Sequence, residues 1–156
     1  MKKLAVLLLI SMLFVLFVNT AFAAGLVYIE APYEFSDTIA QAVGFRGAEV
    51  IKSKGEANTT VKVDVVELKT RMKFNWWILL LGLWPIVPWT RTVADATVNV
   101  TVMEDSMAVY AQRASESVKG QFVFGDIYVV DDDKVDELKA EAVREAVLKA
   151  LAEYSF

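Results

Sequence analysis

The residues best placed to act on something outside the chain form one apolar stretch, FNWWILLLGLWPIVPWTR at 74–91. The stretch holds all four tryptophans of the sequence and two of its three prolines, and it carries no charge before Arg91. Tryptophan favours the boundary between lipid and water, and basic residues attract anionic headgroups. These residue types, in this order, indicate contact with a membrane rather than catalysis.

Catalytic and metal-binding chemistry has few residues to use. The chain contains no histidine and no cysteine, which excludes a histidine base, a cysteine nucleophile and a zinc site of the usual ligands. It has no glycine-rich phosphate loop. Three aspartates at 131–133 lack the spacing and the glycine of a calcium loop and fit the start of a helix instead. We expect a protein that is not an enzyme and that needs neither cofactor nor metal.

The N-terminus has the pattern of a signal peptide over residues 1–23. A short basic start, MKK, precedes an apolar run at 4–18, and Ala21–Ala23 supplies the small residues that signal peptidase requires. Cleavage after Ala23 is the favoured outcome, and an uncleaved signal anchor is the alternative. The short basic start is typical of bacteria, so we expect export to the cell envelope and the periplasm.

The charge balance argues against a nucleic-acid partner. The chain has 16 basic and 20 acidic residues, and loss of Lys2 and Lys3 with the signal peptide leaves 14 basic residues, a balance of −6. Binding to phosphates needs a basic face. Residues 24–156 have the length of one domain.

The elements before the apolar stretch are predicted to be a strand, a helix and a strand. Residues 25–32 form an apolar strand that Pro32 ends. A helix begins at Ser36-Asp37 and leaves at Lys54-Gly55. Its predicted inner face is made of four residues at helical spacing: Ile39, Val43, Gly47 and Val50.

Two alternating strands, 60–74 and 92–102, flank the apolar stretch. The alternation of the first strand changes phase at Val65-Val66, which predicts a β-bulge there. A tight turn at 104–106 leads to a further strand over 107–114. Residues 114–120 are predicted to be a loop or a frayed strand end, and 121–130 either a short strand or a segment across the core.

A final helix follows the three aspartates and has a broad apolar stripe from Val135 to Tyr154. The predicted fold is therefore α+β. It has a small antiparallel or mixed sheet of about four strands with two helices on one face, in the order β-α-β-β-β-α. The apolar stretch becomes the long tip of a hairpin between the second and third strands.

Length distinguishes three interpretations of the tip. Residues 76–89 as a helix would cover ~21 Å, short of the ~30 Å hydrocarbon core, and Pro85 and Pro88 would interrupt it. As a hairpin bending near Gly82, each arm spans ~20 Å, which suits one leaflet. A buried core loop and a protein–protein contact are the alternatives. Tryptophans beside basic residues at the mouth, with aliphatic residues inside, favour insertion into one leaflet.

Two sets of residues follow from this interpretation. The predicted membrane-interacting residues are Trp76, Trp77, Ile78, Leu79, Leu80, Leu81, Leu83, Trp84, Ile86, Val87 and Trp89. The predicted headgroup collar is Lys69, Arg71, Lys73 and Arg91.

The chain also resembles a class of known proteins. A strand and a helix followed by SKGEANTTVKVDVVELK, leading into LLLGLWPIVPWT, resemble small bacterial envelope lipoproteins of uncharacterised function. The element order is similar to that of the lipopolysaccharide-assembly lipoprotein and of transport-auxiliary lipoproteins. Those families carry a lipidated cysteine directly after the signal peptide, where this chain has Ala24. The resemblance therefore implies that the hairpin tip supplies the membrane attachment, and it transfers no lipopolysaccharide-binding residue.

Together these features predict a non-enzymatic exported envelope protein that docks on a membrane through its Trp-rich hairpin. It would be accessory to envelope assembly or lipid transport, peripherally or monotopically attached, with the outer membrane favoured. The predicted partner is the membrane lipid surface, with an envelope protein or further copies of the chain as other partners. The alternative is a structural subunit of an oligomeric ring or pore that is joined through the apolar hairpins.

Overall fold

A computed structural model describes residues 25–74, 90–120 and 132–156 of the 156-residue chain. These residues form five strands and two helices. In chain order they are β1 (Leu26–Glu30), α1 (Ser36–Phe45), β2 (Glu49–Ile51), β3 (Thr59–Phe74), β4 (Thr90–Glu104), β5 (Met107–Lys119) and α2 (Asp132–Ala150). The predicted signal peptide, the hairpin tip at 75–89 and the segment 121–130 lie outside the described residues.

The strands form one mixed sheet in the order β2-β1-β3-β4-β5. β1 is parallel to both β2 and β3, whereas β4 is antiparallel to both β3 and β5. The predicted α+β class with two helices is confirmed. The prediction of about four strands in the order β-α-β-β-β-α is wrong by one strand, because β2 follows α1.

β2 lies where the sequence predicted the end of the first helix. α1 ends at Phe45, and Gly47 then takes a φ of 91°, a left-handed conformation that glycine adopts without strain. This turn reverses the chain into β2, where Val50 pairs with Val27 of β1. Lys54-Gly55, the predicted helix exit, lies in a separate turn of 3₁₀ helix.

β3 and β4 are the two arms of a long antiparallel hairpin, as predicted. Val65 pairs with Val98 and Glu67 with Thr97, so Val66 is an extra residue on β3. This confirms the bulge predicted from the change of phase. Because of the bulge, the valines before it and Leu68 after it point to the same face of the sheet, although the alternation shifts by one residue.

β5 is longer than predicted, because residues 114–119 continue the strand instead of forming a loop. On the face of the sheet away from the helices, the hydroxyl oxygens of Ser115 on β5 and Thr97 on β4 lie 2.9 Å apart. On the face that packs against the helices, Lys149 of α2 lies 2.7 Å from the Glu116 carboxylate and lowers the pKa of that group. Polar residues on both faces have partners here, which stabilises a strand that looks like a loop in sequence.

The core lies between one face of the sheet and both helices. It contains mainly valine and alanine, such as Val61, Val98 and Val100 of the sheet with Val143 and Val147 of α2. The opposite face, which we call the open face, carries no helix in the described chain. None of the helices described there is both long and apolar enough to cross a membrane.

Candidate functional site

The candidate site is the end of the sheet from which the segment 75–89 departs. The last described pair of the hairpin joins Phe74 to Thr90. β5 ends nearby, where the Gly120 amide donates to the Thr92 carbonyl oxygen at 2.9 Å. Among the described strands, only β3 and β4 continue past this level. The hairpin thus leaves the body of the sheet as a two-stranded ribbon.

The fold places three residues of the predicted collar on the open face of β3. Lys69, Arg71 and Lys73 alternate with residues that point toward the helices, and all three are exposed. Their backbone partners on β4 are Asp95, Val93 and Arg91 in turn. The backbone of the fourth predicted residue, Arg91, therefore lies directly opposite Lys73.

Arg71 belongs to a polar network that spans three strands. Its Nε lies 2.7 Å from one Asp95 carboxylate oxygen and its guanidinium donates to the other at 3.1 Å. The Ser117 hydroxyl of β5 donates to the same carboxylate. The Ser117 hydrogen bond is the largest cause of a lowered pKa at Asp95, and the charges of Arg71 and Lys73 add to it. Asp95 therefore stays ionised and holds Arg71 in place.

Lys69 pairs with Glu67 along the same strand. The hydrogen bond and the charge of Lys69 lower the pKa of Glu67, and Glu67 raises the pKa of Lys69 in return. The Lys69 side chain is 72% exposed. Exposed pairs of this kind contribute little to stability, so Lys69 remains available to a charged partner.

Lys119, which the sequence pattern did not indicate, joins this group. Val93 pairs with Arg71 on one side and with Lys119 on the other, so the three form one row across the open face. Val93 itself is fully buried and lies outside the main core. The sequence signal for Lys119 was the alternation of residues 107–119. The predicted strand ended at residue 114 because the residues after it are mostly polar. We call Lys69, Arg71, Lys73 and Lys119 the cation patch.

The other face of the ribbon is less polar. Met72 points away from the cation patch and is 61% exposed. Leu68, further from the end of the ribbon, is half-buried against the core. The hairpin end therefore presents cations on its open face and an exposed methionine on the opposite face.

The rest of the described chain offers no group of three metal-ligating side chains. The expected absence of enzymatic activity and of a cofactor stays a prediction. All eleven predicted membrane-interacting residues lie outside the described residues, so their role stays a prediction as well. What the structure brings together is the cationic part of the predicted site.

Comparison with known proteins gives a likeness of fold only. No family model and no curated protein matches the chain. Among solved structures, a minor lipoprotein from Acinetobacter baumannii is similar at a TM-score of 0.47 and 9% identity, with 85% of this chain and 93% of that chain covered. The rare lipoprotein B from Shewanella oneidensis gives 0.41 and 10%, with 82% and 94% covered.

A Xanthomonas campestris protein of the DUF330 family gives a TM-score of 0.46 at 10% identity, with 80% of this chain and 79% of that chain covered. The neighbours thus include bacterial lipoproteins, the class that the sequence resembles. The specific likeness to the lipopolysaccharide-assembly lipoprotein is not among these findings. At TM-scores below 0.5, the likeness carries no statement about what this chain does.

Proposed function

We propose that this chain is a non-enzymatic exported envelope protein that docks on a membrane through its hairpin. It serves as an accessory to envelope assembly or lipid transport. The observation that supports this most is the antiparallel pairing of β3 with β4 up to Phe74 and Thr90. Both ends of the Trp-rich segment therefore start from the same end of the sheet, past the last pair of β5.

The energetics favour a lipid contact for such a segment. An exposed apolar segment as long as residues 75–89 needs a lipid or protein partner. Burial of ~500 Å² of it at ~25 cal/mol per Å² gives ~12 kcal/mol before ordering and association costs. The described core is built from sheet and helix residues, so in this proposal the domain does not need the tip in order to fold.

Replacement of Leu80 and Leu81 with aspartate tests the proposal. A charge near the middle of a leaflet costs ~2–3 kcal/mol or more, so the double variant is expected to lose binding to lipid vesicles in a flotation assay. The protein is taken from the envelope after export. Its N-terminal residue is determined first, because an uncleaved signal peptide would bind lipid by itself.

The matched control replaces Met107 and Val109 with aspartate. Both are exposed, at 69% and 49%, and lie at the opposite end of the sheet. This control adds the same charge and is expected to bind vesicles as the unchanged protein does. Equal binding by the tip variant and the control contradicts docking through the tip. If the tip variant unfolds instead, the tip is core, since two unpaired carboxylates would then be buried.

Tryptophan fluorescence gives a second readout, because all four tryptophans lie in the segment. Insertion predicts a blue shift of the emission when vesicles are added. Emission that is already blue in buffer and does not shift indicates burial in protein. Release of trapped dye by ring-sized particles would favour the pore subunit over the accessory protein.

A further inference from the structure

The cation patch has more charge than the carboxylates around it neutralise. Lys69 pairs with Glu67, and Arg71 pairs with Asp95. Within the described parts of the chain, the other two members of the patch, Lys73 and Lys119, form no ion pair. A net positive region therefore occurs on a chain whose formal net charge is −4.

The two layers of the domain differ in charge at this end. On the helix side, α2 carries six acidic and four basic residues, and its Leu138 reaches the level of Gly120. On the open side, Arg71 and Lys119 are two strands apart, ~10 Å, and Lys69 and Lys73 are ~13 Å apart along β3. These spacings are close to the screening length of ~8–10 Å, so an anionic surface meets the patch as one charge cluster.

We propose that the open face of the sheet lies against the phosphates of an anionic bilayer when the hairpin docks, with Lys119 as a direct headgroup contact. This inference rests on the proposed function. Charge complementarity favours anionic lipid and also fixes which face of the domain lies against it. The anionic surface attracts the cation patch and repels the net acidic α2 layer on the other face. Asp95 opposes this binding, and Arg71 and Ser117 keep it ionised.

The first experiment compares Lys119→Gln with Arg113→Gln in the exported protein. Both residues are exposed cations on the open face of β5, and they lie six residues or ~20 Å apart. The vesicles are phosphatidylcholine alone or phosphatidylcholine with phosphatidylglycerol. We expect Lys119→Gln to weaken binding to the anionic vesicles about five-fold at low salt. Arg113→Gln is expected to change it less than two-fold. Neither variant should change binding to phosphatidylcholine alone.

The second experiment uses Asp95→Asn, which removes the opposing charge and preserves the shape of the side chain. It is expected to strengthen binding to the anionic vesicles by a similar factor of about five, and added salt should remove the gain. A damaged fold that exposes apolar residues would also bind phosphatidylcholine vesicles more strongly, so the gain must be confined to the anionic vesicles. This experiment decides the matter if Lys119→Gln fails to fold.

Binding to the two kinds of vesicle distinguishes a failure of the proposed function from a failure of the proposed orientation. Binding to phosphatidylcholine alone reports the hairpin tip, whereas the additional affinity for anionic vesicles reports the patch. Equal effects of Lys119→Gln and Arg113→Gln, or no gain with Asp95→Asn, overturn the proposed orientation. Displacement of the protein by inorganic phosphate, but not by chloride at the same ionic strength, would also overturn it in favour of a site for free phosphate.

Discussion

Replacement of Arg46 with methionine should destabilise the domain, because this side chain joins the two helices. Arg46 follows the last residue of α1, and its guanidinium donates to the carbonyl oxygens of Ala152 at 2.9 Å and Tyr154 at 2.8 Å. Both acceptors follow the end of α2. Methionine keeps most of the apolar stem and removes the donors, so the change isolates these two hydrogen bonds.

The size of the effect follows from the surroundings of each bond. A hydrogen bond from a charged group contributes about 1.5–3 kcal/mol. Ala152 is exposed, so water replaces the donor at its carbonyl, whereas Tyr154 is half-buried. The Nε of Arg46 is buried without a hydrogen-bond partner among the described residues, and its removal offsets part of the loss. We expect a decrease of about 2 kcal/mol in the free energy of unfolding.

Urea denaturation followed by circular dichroism measures this difference, and the melting temperature should fall by roughly 6–10 °C. The control is Arg144→Met on α2, where the guanidinium pairs with its half-buried neighbour Glu145 at 2.9 Å. That change should cost less than about 0.5 kcal/mol. If the two variants unfold at the same urea concentration, Arg46 does not join the helices energetically.

Two further predictions concern the bulge and the C-terminus. Deletion of Val66 should leave a folded protein that still binds vesicles, because Val65 and Glu67 already have regular partners. Deletion of Thr70 should not leave such a protein, because it turns every later side chain of the strand to the opposite face of the sheet. Burial and a hydrogen bond to Glu104 raise the pKa of Tyr154 to about 12. The stability that this hydroxyl contributes is present below pH ~10 and is lost as the pH rises toward 12. Stability measured across this pH range should fall less in Tyr154→Phe, and an equal fall in both proteins would contradict the assignment.

The parts of the fold that the sequence predicted are those in which one face is apolar. The valines around Val65 alternate so regularly that their change of phase located the bulge to the pair Val65-Val66, and the extra residue is Val66. The apolar stripe of α2 is equally regular in the sequence. Long, half-buried elements repeat a pattern, and the pattern survives whatever contacts the element makes.

The parts that were missed depend on contacts distant in sequence. β2 has three residues, and Val50 fits a helical stripe as well as a strand until Gly47 turns the chain. The end of β5 carries polar residues on both faces, and its partners on β4 and α2 stabilise it as a strand. Lys119 was missed for the same reason, because it joins the row of Arg71 and Val93 only when β5 extends to it.

The pairing of β3 with β4 also limits how the reach of the hairpin can evolve. Side chains alternate with a period of two, so a single inserted or deleted residue past the bulge would turn the cations toward the helices. Two residues added to each arm would preserve both faces and move the tip outward by ~7 Å. The distance between the body of the protein and whatever its tip enters is therefore adjustable in discrete steps. Natural variants of this hairpin should differ in length by even numbers of residues in each arm.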